Sequence, residues 1–337
     1  MSVLHRRIPI LINDQSCIGH ARRQAAAIAE SLAFSETAAG NLGIIVTEAA
    51  RNIALHAGSG EIVLAPWTMD GHVGVDVLAL DRGPGIADIA RALEDGFSTA
   101  GTAGTGLGAM RRLAQEFQVY SILRAGTVVF ARVFARQNTN IAAVRGISRV
   151  GVVNLAMQGE EHCGDAWKVV HSGGRSLYMV ADGLGHGKDA ALASSRACEV
   201  LEQNPSLFPE QLLDEMHRAL RKTRGAAISI ATLNVGQRTL HYAGAGNIAG
   251  VLHAGRLHHN LVSMNGTVGH VVGRVREFLY TWEGEAILIL SSDGLSSRWT
   301  PEQYPGLLGK HPALIAAVLY RDHCRGRDDV TVLVVRI

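Results

Sequence analysis

An aspartate beside a glycine or a second aspartate recurs at the ends of apolar, strand-like segments, and this pattern constrains the fold more than any other feature of the chain. The pattern occurs in the sequences Gly164-Asp165, Asp182-Gly183, Asp293-Gly294 and Asp328-Asp329, and Asp81 likewise ends an apolar strand and enters a glycine and proline turn. A carboxylate at a strand end is held by its turn and faces a ligand, although a single Asp-Gly is more often only a turn-forming pair. The whole series predicts ligand sites at strand ends, and the order of helix-like and strand-like segments predicts a mixed α/β (α+β) chain.

The length of the chain indicates two domains. A single hydrophobic core rarely grows beyond roughly 250 to 300 residues, and this chain has 337 residues, of which 47% are hydrophobic. The polar run Arg136-Gln137-Asn138-Thr139-Asn140 has no strong periodicity and marks the boundary. We therefore predict a first domain over residues 1–135, a short linker over residues 136–147 and a second domain over residues 148–337.

Charge and cysteine usage exclude several classes of partner. The 32 basic and 30 acidic residues are balanced, so no basic stripe favours binding to nucleic acid or to an anionic membrane. The four cysteines are scattered without paired metal spacing, which is typical of reduced thiols. No apolar run approaches the roughly 18 residues that a membrane helix needs, and the first residues lead into a strand rather than a signal peptide. We expect a soluble, cytoplasmic protein.

Hydrophobic periodicity predicts a different architecture for each domain. In the first, two helices over residues 16–33 and 36–56 precede strands near residues 62–65, 73–80, 119–123 and 127–134, an order that indicates a two-layer α/β unit. In the second, strands dominate and the helices near residues 188–202 and 209–223 come as a pair. This pattern favours a β-sandwich flanked by helices.

A first group of polar residues in the N-terminal domain is suited to a nucleotide. Glu48 and Asn52 are four residues apart on a predicted helix, so they share a face, which His56 continues. An Asn oxygen can bind Mg²⁺, and a neighbouring Glu can orient or deprotonate an attacking hydroxyl. Asp81 can accept a hydrogen bond from the amino group of adenine. Taken singly, each of these residues is equally explained as a solvated, capping or turn residue.

The segment Gly104-Thr105-Gly106-Leu107-Gly108 opens a helix, where bare backbone amides and the helix dipole favour phosphate. A flexible turn is the alternative interpretation. The first 140 residues contain no lysine, which excludes a P-loop or protein-kinase site, since both need a phosphate-binding lysine. Phosphate charge must then be met by Mg²⁺, by backbone amides and by Arg111 or Arg112, unless these arginines are ordinary surface residues.

In this order and on these elements, the motifs of residues 1–135 resemble the Bergerat-type ATP-binding fold of the GHKL (HATPase) group, and within it the small switch-protein kinases of the RsbT and anti-sigma type. The stretch Asp95-Gly96-Phe97-Ser98-Thr99 is similar to their short nucleotide lid. The resemblance implies ATP and Mg²⁺ as cofactors, with Asn52 as the Mg²⁺ ligand, Glu48 as the catalytic base and Asp81 reading adenine. It also implies that the nucleotide is bound by the loop residues Gly83, Gly85, Gly104, Thr105, Gly106 and Gly108.

The acidic residues of the second domain indicate a metal site. Clustered carboxylates repel one another unless cations hold them, so converging aspartates favour Mg²⁺ or Mn²⁺ with several bound waters. Two such ions can polarise a phosphate and lower the pKa of a bridging water. The motifs that carry this prediction are Gly164-Asp165, Asp182-Gly183-Leu184-Gly185-His186-Gly187, Ala243-Gly244-Ala245-Gly246-Asn247, Asp293-Gly294 and Asp328-Asp329-Val330-Thr331.

These motifs resemble the SpoIIE and RsbX branch of the metal-dependent protein phosphatase 2C family over residues 148–337. The resemblance implies two Mn²⁺ or Mg²⁺ ions, with Asp182 and Asp293 in the catalytic centre. The implied ligands are Asp182, the Gly183 carbonyl, Asp293 and Asp328, with Asp165 as an additional ligand. Asp329 would support the ligands and Asn247 would shape the loop, while His186 is open to two interpretations, general acid or loop residue.

Two further signals carry less weight. Cys17 and Arg23 fit the C-x5-R spacing of cysteine phosphatases, but only Gly19 relieves the loop and Gln24 stands where that chemistry needs a hydroxyl. His253, His258 and His259 lack a carboxylate or cysteine at metal spacing, so we predict surface-loop histidines.

Together the two resemblances imply a bifunctional bacterial partner-switching regulator. Its first domain would be an ATP-dependent serine/threonine kinase, and its second a phosphatase acting on a phosphorylated STAS-type antagonist protein in a stress or sigma-factor response. An alternative makes the first domain a non-catalytic module that binds ATP and a partner, and another makes the phosphatase an inactive scaffold. The retained Glu48 and the complete set of acids favour catalysis in both domains. The oligomeric state is left open.

Overall fold

A computed structural model describes residues 7–69, 71–94, 106–136, 149–255 and 257–337. Two compact units are present. The first comprises Met1–Ser148 together with Gly309–Arg321, and the second comprises Arg149–Leu308 together with Asp322–Ile337. The similarity to the nucleotide lid, and with it Gly104 and Thr105, falls on residues 95–105, which lie outside the described residues.

The N-terminal segment of the first unit forms an antiparallel sheet in the order β1-β2-β3-β5-β4. Its strands are β1 (Ile8–Ile12), β2 (Gly60–Met69), β3 (His72–Asp81), β4 (Glu116–Ile122) and β5 (Gly126–Phe134). Its helices are α1 (Cys17–Ser31), α2 (Glu36–Asn52), α3 (Ile89–Ala92) and α4 (Gly106–Leu113). Apolar residues of α1, α2 and α4 pack on one sheet face in a single core. The predicted two-layer α/β arrangement is confirmed.

Helix α2 owes its boundaries and its orientation to the sequence. Ser35 caps it by accepting a hydrogen bond from the Ala38 amide on Oγ. The buried residues Leu42, Ile45, Val46 and Ala49 recur at helical spacing and place one stripe on the sheet. Beyond Asn52 the chain continues as a π turn over Ile53–Ala57. The predicted helix over residues 36–56 is therefore present, but its last turn is wider than α-helical.

The second unit is a β-sandwich flanked by helices, as predicted. Its strands are β6 (Val150–Leu155), β7 (Asp165–Ser172), β8 (Arg175–Gly183), β9 (Ala226–Asn234), β10 (Thr239–Ala245), β11 (Ala249–Ala254), β12 (Leu257–Leu261), β13 (Phe278–Thr281), β14 (Ala286–Ser291) and β15 (Val330–Arg336). One sheet has the order β13-β10-β9-β8-β7 and the other the order β12-β11-β14-β15-β6. Helices α5 (Lys188–Gln203) and α6 (Pro209–Leu220) pack against the first of these sheets.

The late segment of the first unit, Gly309–Arg321, contains most of helix α7 (Pro312–His323). The His311 amide donates to Gln118 Oε1 at 2.7 Å, and the His311 ring stacks on Phe130 with 4.2 Å between centroids. Near the other end of the segment, the Tyr320 hydroxyl donates to Glu61 Oε2 at 3.0 Å. The first unit is thus built from two stretches of sequence that lie far apart along the chain. In the described ranges, no helix is long and apolar enough to span a membrane.

Candidate functional site

The first unit brings three of the predicted nucleotide-binding residues together. Glu48 and Asn52 lie on the last two turns of α2, and Gly106 begins α4. A methyl group at Gly106 would lie 3.2 Å from Asn52 Oδ1 and 3.5 Å from Glu48 Oε2. Arg51 pairs with Glu48 Oε1 at 2.9 Å, and the Glu48 side chain is only 16% exposed. The amide oxygen, the second carboxylate oxygen and the start of α4 therefore face one small volume.

Asp81 ends β3 and is fixed by its own turn. Its Oδ1 atom accepts hydrogen bonds from the Gly83 amide at 2.8 Å and from the Thr127 amide at 3.2 Å. Burial raises the pKa of Asp81, while these amides oppose the rise. Gly85 has φ of +77°, and a Cβ there would lie 2.3 Å from the Ile122 carbonyl oxygen, so only glycine fits. Because both of these amides bind Oδ1, Oδ2 of Asp81 is left to accept from a ligand amino group.

The remaining glycine-loop residues divide between described and undescribed parts of the chain. Gly108 is buried within α4, and Arg111 and Arg112 lie exposed in its last turn. The donor set that is described consists of an Asn oxygen, a Glu carboxylate and helix-terminal amides. This set fits Mg²⁺ and nucleotide phosphate, because hard cations take oxygen ligands and helix N-termini favour anions.

In the second unit, strand pairing places the acidic residues at neighbouring strand ends. Asp165 on β7 and Asp182 on β8 are directly opposite each other in the antiparallel register. Asp293 lies just beyond β14, and Asp328 lies just before β15, the strand paired with β14. Asp165 also accepts a hydrogen bond on Oδ2 from Ser292 Oγ at 2.6 Å, which joins the two sheets at this edge.

The electrostatics of this acidic cluster point to a cation. Burial, followed by the charge of Asp165, raises the pKa of Asp182 to about 9, and burial raises the pKa of Asp165 to about 7. Burial also raises the pKa of Asp293, with Asp328 as the next cause. The Oδ1 atom of Asp165 is buried and has no hydrogen-bond partner among the residues that the structure describes. A divalent ion would supply the missing positive charge and the missing partner.

A cavity of about 520 Å³ opens onto these carboxylates. Among its described lining residues are three aspartates and no Lys, Arg or His; the lining comprises Asp182, Leu184, Gly185, Ala227, Gly246, Asn247, Asn265, Gly266, Thr267, Asp293 and Asp328. Among the described residues, no three His, Cys, Asp or Glu side chains are already grouped tightly enough to hold one ion. Mg²⁺ usually binds only one or two carboxylates and keeps several waters, so it does not need a tight group of three. The site therefore fits hydrated ions that bind the same carboxylates jointly.

Two buried groups hold the loops that carry the ligands. Asp329 accepts from the Met157 amide on Oδ1 and from the Gly164 amide on Oδ2, both at 2.8 Å. Both of its oxygens are therefore occupied by backbone. At Gly183, a Cβ would lie 2.1 Å from the Ala190 carbonyl oxygen, so this position admits only glycine and keeps its backbone against α5.

Sequence reasoning missed Ser292 and gave Asn247 only a general role. Ser292 Oγ both donates to Asp165 and accepts from the Thr331 amide at 2.8 Å. Asn247 Nδ2 donates to Asp293 Oδ2 at 2.7 Å. In the sequence, the only signal for Ser292 and Asn247 was that they stand in or beside a motif. Their hydrogen-bond partners are 39 to 127 residues away along the chain. His186 lies in the loop before α5 and pairs with Glu160 at 2.6 Å, with its side chain 56% exposed.

The two weaker signals have different outcomes. Cys17 begins α1 with its Sγ 3.9 Å from Asp14 Oδ1, and a neighbouring carboxylate opposes a reactive thiolate. The prediction of loop histidines is wrong: His253 lies on β11, and His258 and His259 lie on β12. The prediction failed because a short edge strand with exposed polar residues has the same composition as a loop. Burial lowers the pKa of His253 to about 4, so its ring is neutral at pH 7.

Comparison with known proteins agrees with this division. A family model described as histidine kinase-like ATPase domain matches residues 13–133, and one described as stage II sporulation protein E (SpoIIE) matches residues 172–337. Serine/threonine-protein kinase RsbT of Bacillus subtilis (strain 168) is 38% identical over 128 residues, which span 36% of this chain and 96% of RsbT. Phosphoserine phosphatase RsbX of the same organism is 28% identical over 147 residues, which span 43% of this chain and 73% of RsbX.

A crystal structure of RsbX in complex with magnesium superposes with a TM-score of 0.51 at 21% identity, covering 66% of this chain and 99% of that one. This likeness shows the phosphatase 2C-like fold. Both resemblances inferred from the sequence motifs are confirmed by the family matches.

Proposed function

We propose that this chain is a partner-switching regulator with two opposed activities. Through its first unit the chain belongs to the histidine kinase-like ATPase family, which includes RsbT. A SpoIIE-type phosphatase 2C domain follows that unit. The first unit transfers phosphate from ATP to a serine or threonine of a partner protein. The second removes phosphate from a phosphorylated partner. The partner that similarity to RsbT and RsbX implies is a STAS-type antagonist protein.

The acidic cavity of the second unit carries the phosphatase proposal. A phosphoserine brings two negative charges into a cavity lined by three aspartates, so it binds only where cations are present. Two Mn²⁺ or Mg²⁺ ions, when bound, would polarise the phosphate and supply a nucleophilic water at neutral pH. Asp182, the Gly183 carbonyl, Asp293 and Asp328 would hold them, with Asp165 as a further ligand.

The other residues of the cavity hold this ligand set in place. Asn247 fixes Asp293 by donating to Oδ2, which leaves Oδ1 free to bind an ion. Asp329 ties the two loops around Met157 and Gly164 to the start of β15. Ligand groups that are held before the substrate arrives need no rearrangement during the reaction, which lowers its barrier.

In the first unit, Glu48 and Asn52 support the kinase proposal. Asn52 would hold Mg²⁺, Asp81 would accept from the adenine amino group, and the amides at the start of α4, which lies beside Asn52 and Glu48, would bind phosphate. The Glu48 oxygen that is not paired with Arg51 would accept the proton of the attacking serine hydroxyl. ATP and Mg²⁺ are the cofactors that this set requires.

One observation favours a second candidate function for the first unit. The Arg51 guanidinium already pairs with Glu48 Oε1 at 2.9 Å, so this carboxylate can serve as a structural partner of Arg51 instead of a base. In that case the first unit only binds ATP and the partner, and the phosphatase is the sole enzyme.

Phosphate transfer in the full-length protein separates these functions. We would incubate γ-labelled ATP, Mg²⁺ and a STAS-domain protein with Asp293→Asn, which suppresses dephosphorylation, and with the same variant carrying Glu48→Gln. Kinase activity predicts label on the STAS protein with the first variant and a loss of at least about 100-fold with the second. Glu30→Gln on α1, which is exposed, is the matched control and should keep the activity.

Absence of label with Asp293→Asn would refute catalysis in the first unit, and equal labelling with and without Glu48 would refute its role as the base. The phosphatase proposal is tested separately, by release of phosphate from the phosphorylated STAS protein in Mn²⁺ or Mg²⁺. Asp293→Asn should abolish this release and Glu48→Gln should leave it unchanged. Release that persists in Asp293→Asn, or that needs no divalent ion, would contradict the proposed metal site.

A further inference from the structure

A pair of histidines lies on the second sheet of the sandwich, outside the acidic cavity. His253 on β11 and His258 on β12 are direct partners in the antiparallel register. His253 is 6% exposed, whereas His258 lies on the exposed edge strand. Side chains directly opposite one another in a sheet have Cβ atoms about 4.5 to 5.5 Å apart, which lets two imidazole rings reach a common point.

The two rings face each other through the same type of nitrogen. His253 Nδ1 and His258 Nδ1 are 3.3 Å apart, and the rings meet edge to face with 4.5 Å between centroids. His258 Nε2 lies 3.2 Å from Asn260 Oδ1, an atom that can only accept, so Nε2 carries the proton of that ring. The lone pair of His258 Nδ1 therefore points at His253. Without an ion, this contact requires a proton on His253 Nδ1.

The separation of the two nitrogens also matches that of two ligands on one tetrahedral ion. With metal to nitrogen bonds of about 2.0 to 2.1 Å, two such nitrogens lie roughly 3.3 to 3.4 Å apart. An ion would take the place of the proton on His253 Nδ1. The displaced proton can move to Nε2 of the same ring, because this buried atom has no hydrogen-bond partner in the described part of the chain. Asn260 orients the other ring, as groups behind metal-bound histidines commonly do.

The surroundings of the pair leave room for the rest of a coordination shell. A cavity of about 430 Å³ lies beside it, lined in part by His258, Asn260, Ser297 and Trp299. The Trp299 ring centroid is 5.8 Å from that of His253. Burial, followed by the charge of His258, lowers the pKa of His253, so its ring is neutral and a nitrogen lone pair is available to a metal ion. Water can enter from the cavity to complete the shell.

We propose that His253 and His258 form a binding site for one transition-metal dication such as Zn²⁺ or Ni²⁺, distinct from the acidic site. Imidazole nitrogen binds these ions in preference to Mg²⁺, which takes oxygen ligands. Since no group of three His, Cys, Asp or Glu side chains occurs among the described residues, the ion keeps water in its other positions. The site gives the phosphatase unit a means of binding a borderline metal without occupying its carboxylates.

Calorimetric titration with Ni²⁺ tests this site in the full-length protein without a polyhistidine tag. Excess Mg²⁺ would saturate the carboxylate ligands, so that Ni²⁺ reports on the histidines. We expect one Ni²⁺ per chain, with binding weakened at least tenfold in His258→Gln. His259→Gln is the matched control, because this neighbour on β12 contacts Tyr280 instead, with 5.9 Å between ring centroids. Both His259→Gln and Asp293→Asn should bind Ni²⁺ like the parent protein.

Quenching of tryptophan fluorescence by Ni²⁺ gives an independent readout. Quenching should occur in the parent protein, fall strongly in Trp299→Phe and vanish in His258→Gln. Asn260→Ala, which removes only the orienting acceptor, should weaken Ni²⁺ several-fold and keeps the test valid if His258→Gln fails to fold. Absence of Ni²⁺ binding, or undiminished binding in both His258→Gln and Asn260→Ala, would overturn the proposal. Because no assay here measures catalysis, failure of this site and failure of the proposed function are distinguishable.

Discussion

Ser292→Ala should cost the second unit more stability than the loss of one hydroxyl usually does. Ser292 is 1% exposed, and its Oγ makes two hydrogen bonds in opposite senses. It donates to Asp165 Oδ2 at 2.6 Å and accepts from the Thr331 amide at 2.8 Å. Removing it leaves a buried amide and a buried carboxylate without these partners.

The magnitude follows from the two bonds. A hydrogen bond to a charged group contributes about 1.5 to 3 kcal/mol, and a buried amide left unsatisfied costs about 1 to 3 kcal/mol. Within the described residues Asp165 Oδ1 has no hydrogen-bond partner, so Ser292 supplies the main donor to this carboxylate. We expect the free energy of unfolding to fall by about 3 to 5 kcal/mol when no divalent ion is present.

Urea denaturation in a chelator at pH 8 measures this loss, with Ser194→Ala as the matched control. Ser194 is equally buried, but within the described residues its Oγ donates to the Ala191 carbonyl of its own helix alone, so its loss should cost about 1 kcal/mol. Saturating Mn²⁺ should recover part of the difference in Ser292→Ala, because an ion at Asp165 replaces the missing donor. If the two variants unfolded at the same urea concentration, the role given to Ser292 would be incorrect.

Three further substitutions test the two sites. Asp81→Asn should weaken ATP binding at least tenfold in a fluorescent-nucleotide titration and leave phosphate release intact; unchanged ATP affinity would rule out its role in reading adenine. Gly85→Ala should lower stability by about 1 to 3 kcal/mol in thermal unfolding, given its positive φ and the nearby Ile122 carbonyl, and an unshifted Tm would argue against this turn. Asn247→Ala should raise the Mn²⁺ concentration needed for half-maximal phosphatase activity several-fold, because Asp293 loses its donor; a fall in kcat alone would point to a different role.

The features that the sequence predicted are those that depend on local pattern. An apolar strand followed by Asp-Gly marks Asp182 and Asp293 without knowledge of the fold, and helical spacing places Glu48 and Asn52 on one face. Alternating and continuous apolar runs similarly identified both architectures. Each of these signals is contained within a window of about ten residues.

The features that escaped prediction depend on distant pairing. The contact of Ser292 with Asp165 joins residues 127 positions apart, and the register of His253 with His258 exists only once β11 and β12 have paired. Polar composition concealed β12 because edge strands tolerate exposed polar residues. The joining of Gly309–Arg321 to the first unit has no local signal at all.

The segment Gly309–Arg321 affects how the chain can be divided into fragments for study. A fragment ending in the linker would encode a nucleotide-binding unit stripped of the histidine that stacks on Phe130 and of the tyrosine hydroxyl that donates to Glu61. Such a truncated protein would expose the ring of Phe130, which is fully buried in the intact chain. If it were insoluble or inactive, that result would not show that the first unit depends on phosphatase activity. Inactivating point substitutions in the whole polypeptide, or a fragment to which residues 309–321 are grafted, are the appropriate genetic tools.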